Sequence, residues 1–205
     1  MDKQEYLNEI STSAKATAIK HTPTIFSSKF FWVGTIGAIL FIIIIIIGSI
    51  ISGSKTNVKE HLFSLILHMD NTKEVVEEYR PDIKSSDLRS YGASLVTILS
   101  NDSSSLTAYA TEKYDFKTKN VKESITEEET SRKDDLSSDL FNAKITGSLD
   151  HIYAQKLTTD ISLIQSLESQ IIKASSDPTL QDILNASYES LTVLYDKFKT
   201  FSESK

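Results

Sequence analysis

The chain contains no cysteine, and only six of its 205 residues are glycine. Disulfide bonds, thiol catalysis and thiolate metal sites are therefore excluded. Scarce glycine leaves little material for a glycine-rich phosphate-binding loop. Alternation of apolar and polar residues over a useful length is also missing, so the sequence predicts an all-α protein.

Charge is missing altogether between Phe30 and Ile51, a run that includes six consecutive isoleucines. At about 1.5 Å per residue the run reaches about 33 Å, enough for a hydrocarbon core of about 30 Å. It is about twice as long as the core of a signal peptide, although small residues at 52–54 offer a cleavage site. We predict one transmembrane helix at residues 30–51, with a cleaved signal peptide as the alternative.

Lysines on the two sides of this span predict its orientation. Within about 15 residues of the span, more lysines precede it than follow it. They are Lys15, Lys20 and Lys29 before the span, and Lys55 and Lys59 after it. This bias predicts a short cytoplasmic segment at 1–29 and an extracytoplasmic C-terminal domain at 56–205.

The C-terminal domain is acidic, since residues 55–205 hold 18 of the 22 basic and 25 of the 28 acidic residues. Nucleic-acid binding depends on neutralising phosphates, so we expect no nucleic-acid partner. The bilayer and a protein of the cell envelope are the expected partners. Small residues spaced four apart in the span (Gly34 and Ala38, Gly48 and Ser52) also permit self-association through the transmembrane helix.

Four helices are predicted beyond the span. Two carry apolar seams with the alternating spacings of four and three that are typical of coiled-coil packing. The first begins after Asn57 and ends before Pro81, and its seam is Val58, Leu62, Leu65, Met69, Thr72, Val76 and Tyr79. The last begins at Asp177-Pro178, and its seam is Leu180, Leu184, Ser187, Leu191, Leu194, Phe198 and Phe201.

The two middle helices are predicted at 86–114 and 138–174. The second-helix seam runs through Leu88, Tyr91, Leu95 and Ile98, and falters near Asp102. Core candidates in the third are Phe141, Ile145, Leu149, Ile152, Leu157, Ile164, Leu167 and Ile171, with Gly147 as a weak point. Residues 117–135 are dense in charge and predict a solvated connection. Together the helices predict an antiparallel, up-down-up-down four-helix bundle.

Three stretches resemble a ferritin-like family of exported bacterial helical proteins of unknown function. They are Asp87-Leu88-Arg89-x-Tyr91, the Phe141 segment with Tyr153, and Asp177-Pro178-x-Leu180. The resemblance implies a four-helix fold over most of residues 58–201. Family members often carry a histidine after an aspartate in the second helix and another in the third. Here Ser103 follows Asp102, and the third-helix position falls near Ile161, so the resemblance implies no metal site.

Candidate chemistry is sparse. His61 and His68 lie seven residues apart on one helix face with Asp70 nearby, but no Glu-x-x-His pair of the kind found in di-metal centres occurs. We interpret both histidines as partly exposed structural residues. No serine lies in a Gly-x-Ser-x-Gly or Ser-x-x-Lys context. We expect no catalytic, cofactor-binding or metal-binding residues and no enzyme activity.

The sequence therefore predicts a membrane-anchored extracytoplasmic helical bundle that binds a partner or supports an envelope assembly. Two alternatives remain. One is a bundle that senses a small ligand between its helices, and an aromatic-lined groove among the tyrosines would suit it. The other is a ferritin-like metal-dependent enzyme.

Overall fold

A computed structural model describes residues 57–204. These residues form five α-helices joined by short connections, without a β-strand among them, so the all-α prediction is confirmed. The helices are α1 (Val58–Tyr79), α2 (Ser86–Tyr114), α3 (Glu123–Thr146), α4 (Leu149–Ala174) and α5 (Pro178–Glu203).

Helix α1 begins and ends where the sequence predicts. The Asn57 side chain accepts a hydrogen bond from the Glu60 backbone N–H (3.4 Å) and donates one to the Glu60 carboxylate (2.6 Å). The helix ends at Tyr79 because Pro81 cannot continue the helical hydrogen bonding. Pro81 lies in a short 3-10 helix, Arg80–Asp82, that follows directly. Every predicted seam residue except Val58 is buried, which confirms the seam.

Helix α2 has the predicted bounds, but its buried face is rotated. Ser85 caps its first turn, and the helix ends at Asp115, whose φ of 52° is left-handed. Gly92 and Leu99 are buried, whereas the predicted Tyr91 and Ile98 are only partly buried. The rotation brings Gly92, which has no side chain, against the ring of a buried tyrosine of α4.

The predicted third helix at 138–174 is wrong, because the structure contains two helices there. Gly147 has a φ of 76° and ends α3, a conformation that glycine adopts without steric cost. The Ser148 N–H then donates to the Ala143 carbonyl at 2.9 Å and closes the turn. The chain reverses at this point, so the segment that follows, α4, runs antiparallel to α3.

Helix α5 fits its sequence pattern most closely. Asp177 Oδ1 accepts hydrogen bonds from the N–H groups of Thr179 and Leu180, and Pro178 is the first helical residue. Every predicted seam residue from Leu180 to Phe198 is buried, and Phe201 is partly buried. Burial of each such aliphatic side chain stabilises the fold by about 1.5–3 kcal/mol.

Four of the helices form a ring. α1 packs on α2 and α4, and α5 also packs on α2 and α4. Neighbours in the ring are antiparallel. α1 meets α4 through Thr72–Asp160 and, just past its end, through Ser85–Asp150. α2 meets α5 through Tyr91–Phe198 near one end and Tyr109–Asp177 at the other, and short connections join α1 to α2 and α4 to α5. The up-down-up-down order predicted from the sequence is wrong, because α4 and α2 run in the same direction.

The fifth helix, α3, causes that change. It packs on the outside of α1 and α4 and runs parallel to α1, with contacts from Glu60–Lys122 at one end to Asp82–Lys144 at the other. α3 thus carries the chain back along the bundle before α4 begins. The predicted solvated connection at 117–135 is correspondingly shorter: residues 115–122 connect the helices, and α3 begins at Glu123.

Two predicted core residues lie on the surface instead. Phe141 is 54% exposed and Ile145 is 68% exposed. Leu140 and Ala143 occupy the buried side of α3 in their place. The apolar periodicity from Phe141 to Ile171 does not follow one helix, because the turn at Gly147 breaks the register.

Several predictions concern residues outside the described part of the chain. They are the segment 1–29, the transmembrane helix at 30–51 and self-association through that helix. Between residues 57 and 204, no helix combines the length and apolar character that crossing a bilayer requires.

Candidate functional site

Two polar clusters lie inside the bundle, and the first is built around His68 of α1. Its Nδ1 lies 2.7 Å from Oε2 of Glu129, a residue of α3. Glu129 Oε1 accepts a hydrogen bond from the Ser64 hydroxyl at 2.6 Å. The Asn71 amide donates to the Glu129 carbonyl at 3.0 Å. Glu129 belongs to the outer helix, α3, but each of these hydrogen-bond partners lies on α1.

The second nitrogen of His68 faces α4. Nε2 lies 3.3 Å from Asp160 Oδ1, an ion pair without hydrogen-bond geometry. The Thr72 hydroxyl donates to Asp160 Oδ2 at 2.5 Å. His68 and Glu129 are each 2% exposed, so one buried imidazole links three helices.

The positive charge of His68 and the negative charge of Asp160 stabilise each other. Burial alone would lower the pKa of His68, but Asp160 and Glu129 outweigh burial and raise it to about 9. Burial would raise the pKa of Asp160, yet His68 and the Thr72 hydroxyl hold it below its ordinary value. His68 is therefore protonated at neutral pH, as a cation between two carboxylates.

The second polar cluster joins α2, α4 and α5. Glu168 of α4 is fully buried, and its Oε1 accepts a hydrogen bond from the Ser187 hydroxyl of α5 at 2.5 Å. Burial raises the pKa of Glu168 to about 8; the Ser187 hydrogen bond opposes this and the Asp102 charge adds to it. Burial also raises the pKa of Asp102, which interacts with the same hydroxyl. Glu168 is therefore largely protonated at neutral pH.

Both clusters lie inside the bundle. His68 is enclosed by its partners, and no group of three or more metal-binding side chains in residues 57–204 is arranged to hold an ion. Glu168 Oε2 and Asp102 Oδ2 find no hydrogen-bond partner within the described residues. Both clusters act as internal ties between helices.

The outer surface of α3 is different in character. Residues at spacings of four and three form a continuous exposed stripe on the side away from the bundle. We call this stripe the α3 outer face; its residues are Glu127, Ser131, Asp134, Ser138, Phe141 and Ile145. The half toward the start of α3 is acidic and the half toward its end is apolar.

Surface grooves in the described chain are shallow and open to solvent. One of them lies on the acidic half of α3, lined by Thr126, Glu127, Thr130, Ser131, Asp134 and Asp135. A second lies at the α3–α4 turn, where Asp150 accepts hydrogen bonds from the backbone N–H groups of Lys84 and Ser85. Large side chains fill the interior between the helices, among them Tyr153, Phe198 and Met69.

The histidines singled out from sequence are not brought together. His68 is buried, so the interpretation of it as partly exposed is wrong, whereas His61 is half-buried as expected. Asp70 accepts a hydrogen bond from the Ser103 hydroxyl at 2.9 Å and pairs with Lys73 at 3.3 Å. It therefore takes no part in a site with either histidine. His21 lies outside the described residues.

The buried carboxylates were missed in the sequence, although one left a signal. Glu168 lies three residues before Ile171 and four after Ile164, so it occupies a seam position of α4. A charged residue in a seam is the sequence mark of a buried polar group. Glu129 left no such mark, since it stands between Glu128 and Thr130 in a charged stretch.

Comparison with known proteins gives no relative on which to base a function. No protein-family model, no curated protein and no solved structure matches the chain. The ferritin-like resemblance thus stays a prediction, and any function has to be argued from the surfaces and clusters of the bundle itself.

Proposed function

We propose that the protein is a membrane-anchored, extracytoplasmic helical bundle that binds a protein partner in the cell envelope. The observation that carries the proposal is the exposed pair Phe141 and Ile145, one helical turn apart on α3. Ile145 is 68% and Phe141 54% exposed, and the other exposed large apolar side chains of residues 57–204 are Val193 (56%) and Tyr188 (40%) on α5. Exposed apolar side chains grouped on one surface are typical of protein-binding sites.

The position of the pair supports binding by a tethered domain. The chain enters the bundle at Val58, and the end of α3 lies at the opposite end, where Lys144 pairs with Asp82 beyond the last turn of α1. A tether attached before Val58 leaves the Phe141 end free to meet a partner. The apolar run at 30–51 supplies the proposed tether, and the lysine bias supports the outward orientation.

The interior supports a structural rather than a sensing role. Buried side chains fill the space between the helices, and His68 and Glu168 each take a hydrogen-bond partner from another helix of the bundle. A rigid bundle of this kind presents its outer surfaces in a fixed arrangement, which lowers the entropic cost of binding a partner.

Cysteine labelling tests the topology, because the natural chain has no cysteine. Asn185→Cys places one thiol on the exposed side of α5, and Ser11→Cys places one in the N-terminal segment. In intact cells, with any outer barrier opened, a membrane-impermeant maleimide should label the Asn185→Cys variant and not the Ser11→Cys variant. The reverse pattern would overturn the extracytoplasmic placement, and recovery of the full chain in the soluble fraction would overturn the anchor.

A protease provides an independent readout of the same topology. Lys117, Lys119 and Lys122 lie exposed in the connection between α2 and α3. Exposed irregular segments are the preferred sites of cleavage. Trypsin added outside should cut there first, before it cuts within the helices.

A further inference from the structure

The α3 outer face shows which class of partner would fit, an inference that rests on the binding role proposed above. All six of its residues are exposed. They span 19 residues, and the 18 steps between the first and the last, at about 1.5 Å each, give a stripe of about 27 Å. The four-three spacing is the pattern with which one helix packs lengthwise on another. The natural occupant of such a stripe is a helix of similar length.

Charge along α3 is not balanced by its own basic residues. Lys133 pairs with Glu74, Lys144 with Asp82 at 2.6 Å, and Arg132 with Glu128 at 2.5 Å. Each cation of the helix is thus already occupied within the bundle.

The two acidic residues of the stripe and the neighbouring Asp135 are left without such partners. Among the described residues, no cation lies within ion-pair distance of Glu127, Asp134 or Asp135. All three line the shallow groove on this half of α3. A shallow, negatively charged groove followed along the helix by two exposed apolar side chains favours a partner with basic residues followed by apolar ones.

We propose that the α3 outer face binds an amphipathic helix of another protein, with Lys or Arg against Glu127 and Asp134 and apolar side chains against Phe141 and Ile145. The acidic groove fixes the register, and the apolar pair supplies the buried centre of the contact. The helix lies along α3 for about five turns.

A second copy of the chain fits the same surface poorly. In a two-fold symmetric pair, parallel α3 helices place Glu127 against Glu127 of the other copy. Antiparallel helices place the apolar pair against the acidic half. Neither arrangement satisfies both halves of the stripe, because an isologous contact requires self-complementarity. An anionic lipid surface is disfavoured by the same acidic residues.

The test uses the purified full chain and two synthetic helical peptides of about 19 residues. Each carries lysines on the seam in one half and leucines in the other, and the two peptides run in opposite directions to allow either helix orientation. Control peptides carry glutamate in place of each lysine. Binding is measured by fluorescence anisotropy at low and high salt.

At least one lysine peptide should bind the natural chain, more weakly at high salt, and the glutamate peptides should not. E127K/D134K should weaken that binding by about tenfold or more and should instead bind the matching glutamate peptide. F141S/I145S should weaken binding of the lysine peptide to a similar extent. The control variant D182K/E189K, on the exposed side of α5, should leave it unchanged.

Several outcomes overturn the inference. They are equal binding of lysine and glutamate peptides, no binding of any peptide, and loss of binding in the α5 control variant. Sedimentation that shows a dimer of the natural chain, abolished by F141S/I145S, would assign the surface to a second copy. None of these readouts depends on the anchor or on membrane sidedness, so a failure here leaves the labelling result intact.

Discussion

His68 Nδ1 and Glu129 Oε2 lie 2.7 Å apart in the interior, across the contact between the first helix of the bundle and the helix that carries the exposed apolar pair. This pair links the first half of α3 to α1, whereas Leu136, Leu140 and Ala143 supply the apolar contact of α3 further along. The proposed binding surface therefore depends on the charge state of a buried histidine.

Loss of the proton on His68 should make the bundle less stable at alkaline pH. Its folded-state pKa of about 9 lies above the unfolded value of 6.5, so its contribution is fully present below about pH 6.5 and is lost as pH rises through 9. His68→Asn should lower the unfolding free energy at pH 6 by about 3–5 kcal/mol, because two buried carboxylates lose their cation. Urea unfolding at several pH values measures both effects. His61→Asn, at a half-buried position, should change stability by less than about 0.5 kcal/mol.

Glu168 causes a second decrease in stability with rising pH, at lower pH than the decrease caused by His68. Its folded-state pKa of about 8 lies above the ordinary 4.5, so the folded protein holds a proton that the unfolded chain releases, and stability falls between these two values. Glu168→Gln keeps an acceptor for the Ser187 hydroxyl and cannot ionise. The variant should be more stable than the natural chain at pH 8 and should show a smaller slope of stability between pH 5 and 6.5, below the range in which His68 titrates. An unchanged slope would show that Glu168 ionises freely in the fold.

The backbone at Gly92 has no room for a side chain, because Tyr153 approaches it closely across the bundle. A Cβ added to Gly92 would lie 2.5 Å from the hydroxyl oxygen of Tyr153, a hydroxyl that has no hydrogen-bond partner among residues 57–204. Gly92→Ala should therefore destabilise the fold by about 1–3 kcal/mol. Tyr153→Phe removes the clashing oxygen, so the cost of Gly92→Ala should be smaller in that background. Thermal melts of the four proteins in the double-mutant cycle give the coupling, and additive costs would contradict the clash.

Substitutions at Leu191 and Glu128 compare a buried position with an exposed one. Leu191 is fully buried in the seam of α5, whereas Glu128 is exposed and pairs only with Arg132 one turn away on the same helix. Leu191→Asp should cost several kcal/mol, because a carboxylate without a partner is forced into the core. Glu128→Ala should cost less than about 0.5 kcal/mol. Chemical unfolding curves that shift equally for both variants would mean that the core is misplaced.

Much of the fold was visible in the sequence, because local signals and tertiary packing agree there. Asn57, Pro81 and Asp177 set helix ends, and the seams of α1 and α5 read directly as buried faces. The helix α3 was missed because its own signal is weak: in its first half only Glu129 is buried, and that residue is charged. Its place is decided by His68, which is 61 residues away in the sequence.

The candidate surface could not be predicted for a related reason. Phe141 and Ile145 are apolar and one turn apart, which in an isolated sequence indicates a buried face. Leu136, Leu140 and Ala143 offer a competing face on the same helix. Which of these two surfaces of α3 is turned toward the bundle depends on contacts elsewhere in the fold. Among them are the Glu129 side chain paired with His68 and the turn at Gly147.

The central claim is that the α3 outer face meets a protein partner, and site-specific photocrosslinking in native membranes tests it most directly. A photoreactive residue would replace Phe141 in the full chain, with the same residue at Ser94, an exposed position on α2, as the matched control. We predict a protein adduct from position 141 that is absent from position 94 and is lost when Glu127 and Asp134 are changed to lysine. Adducts of equal yield from both positions, or adducts at 141 with lipid alone, would contradict the account.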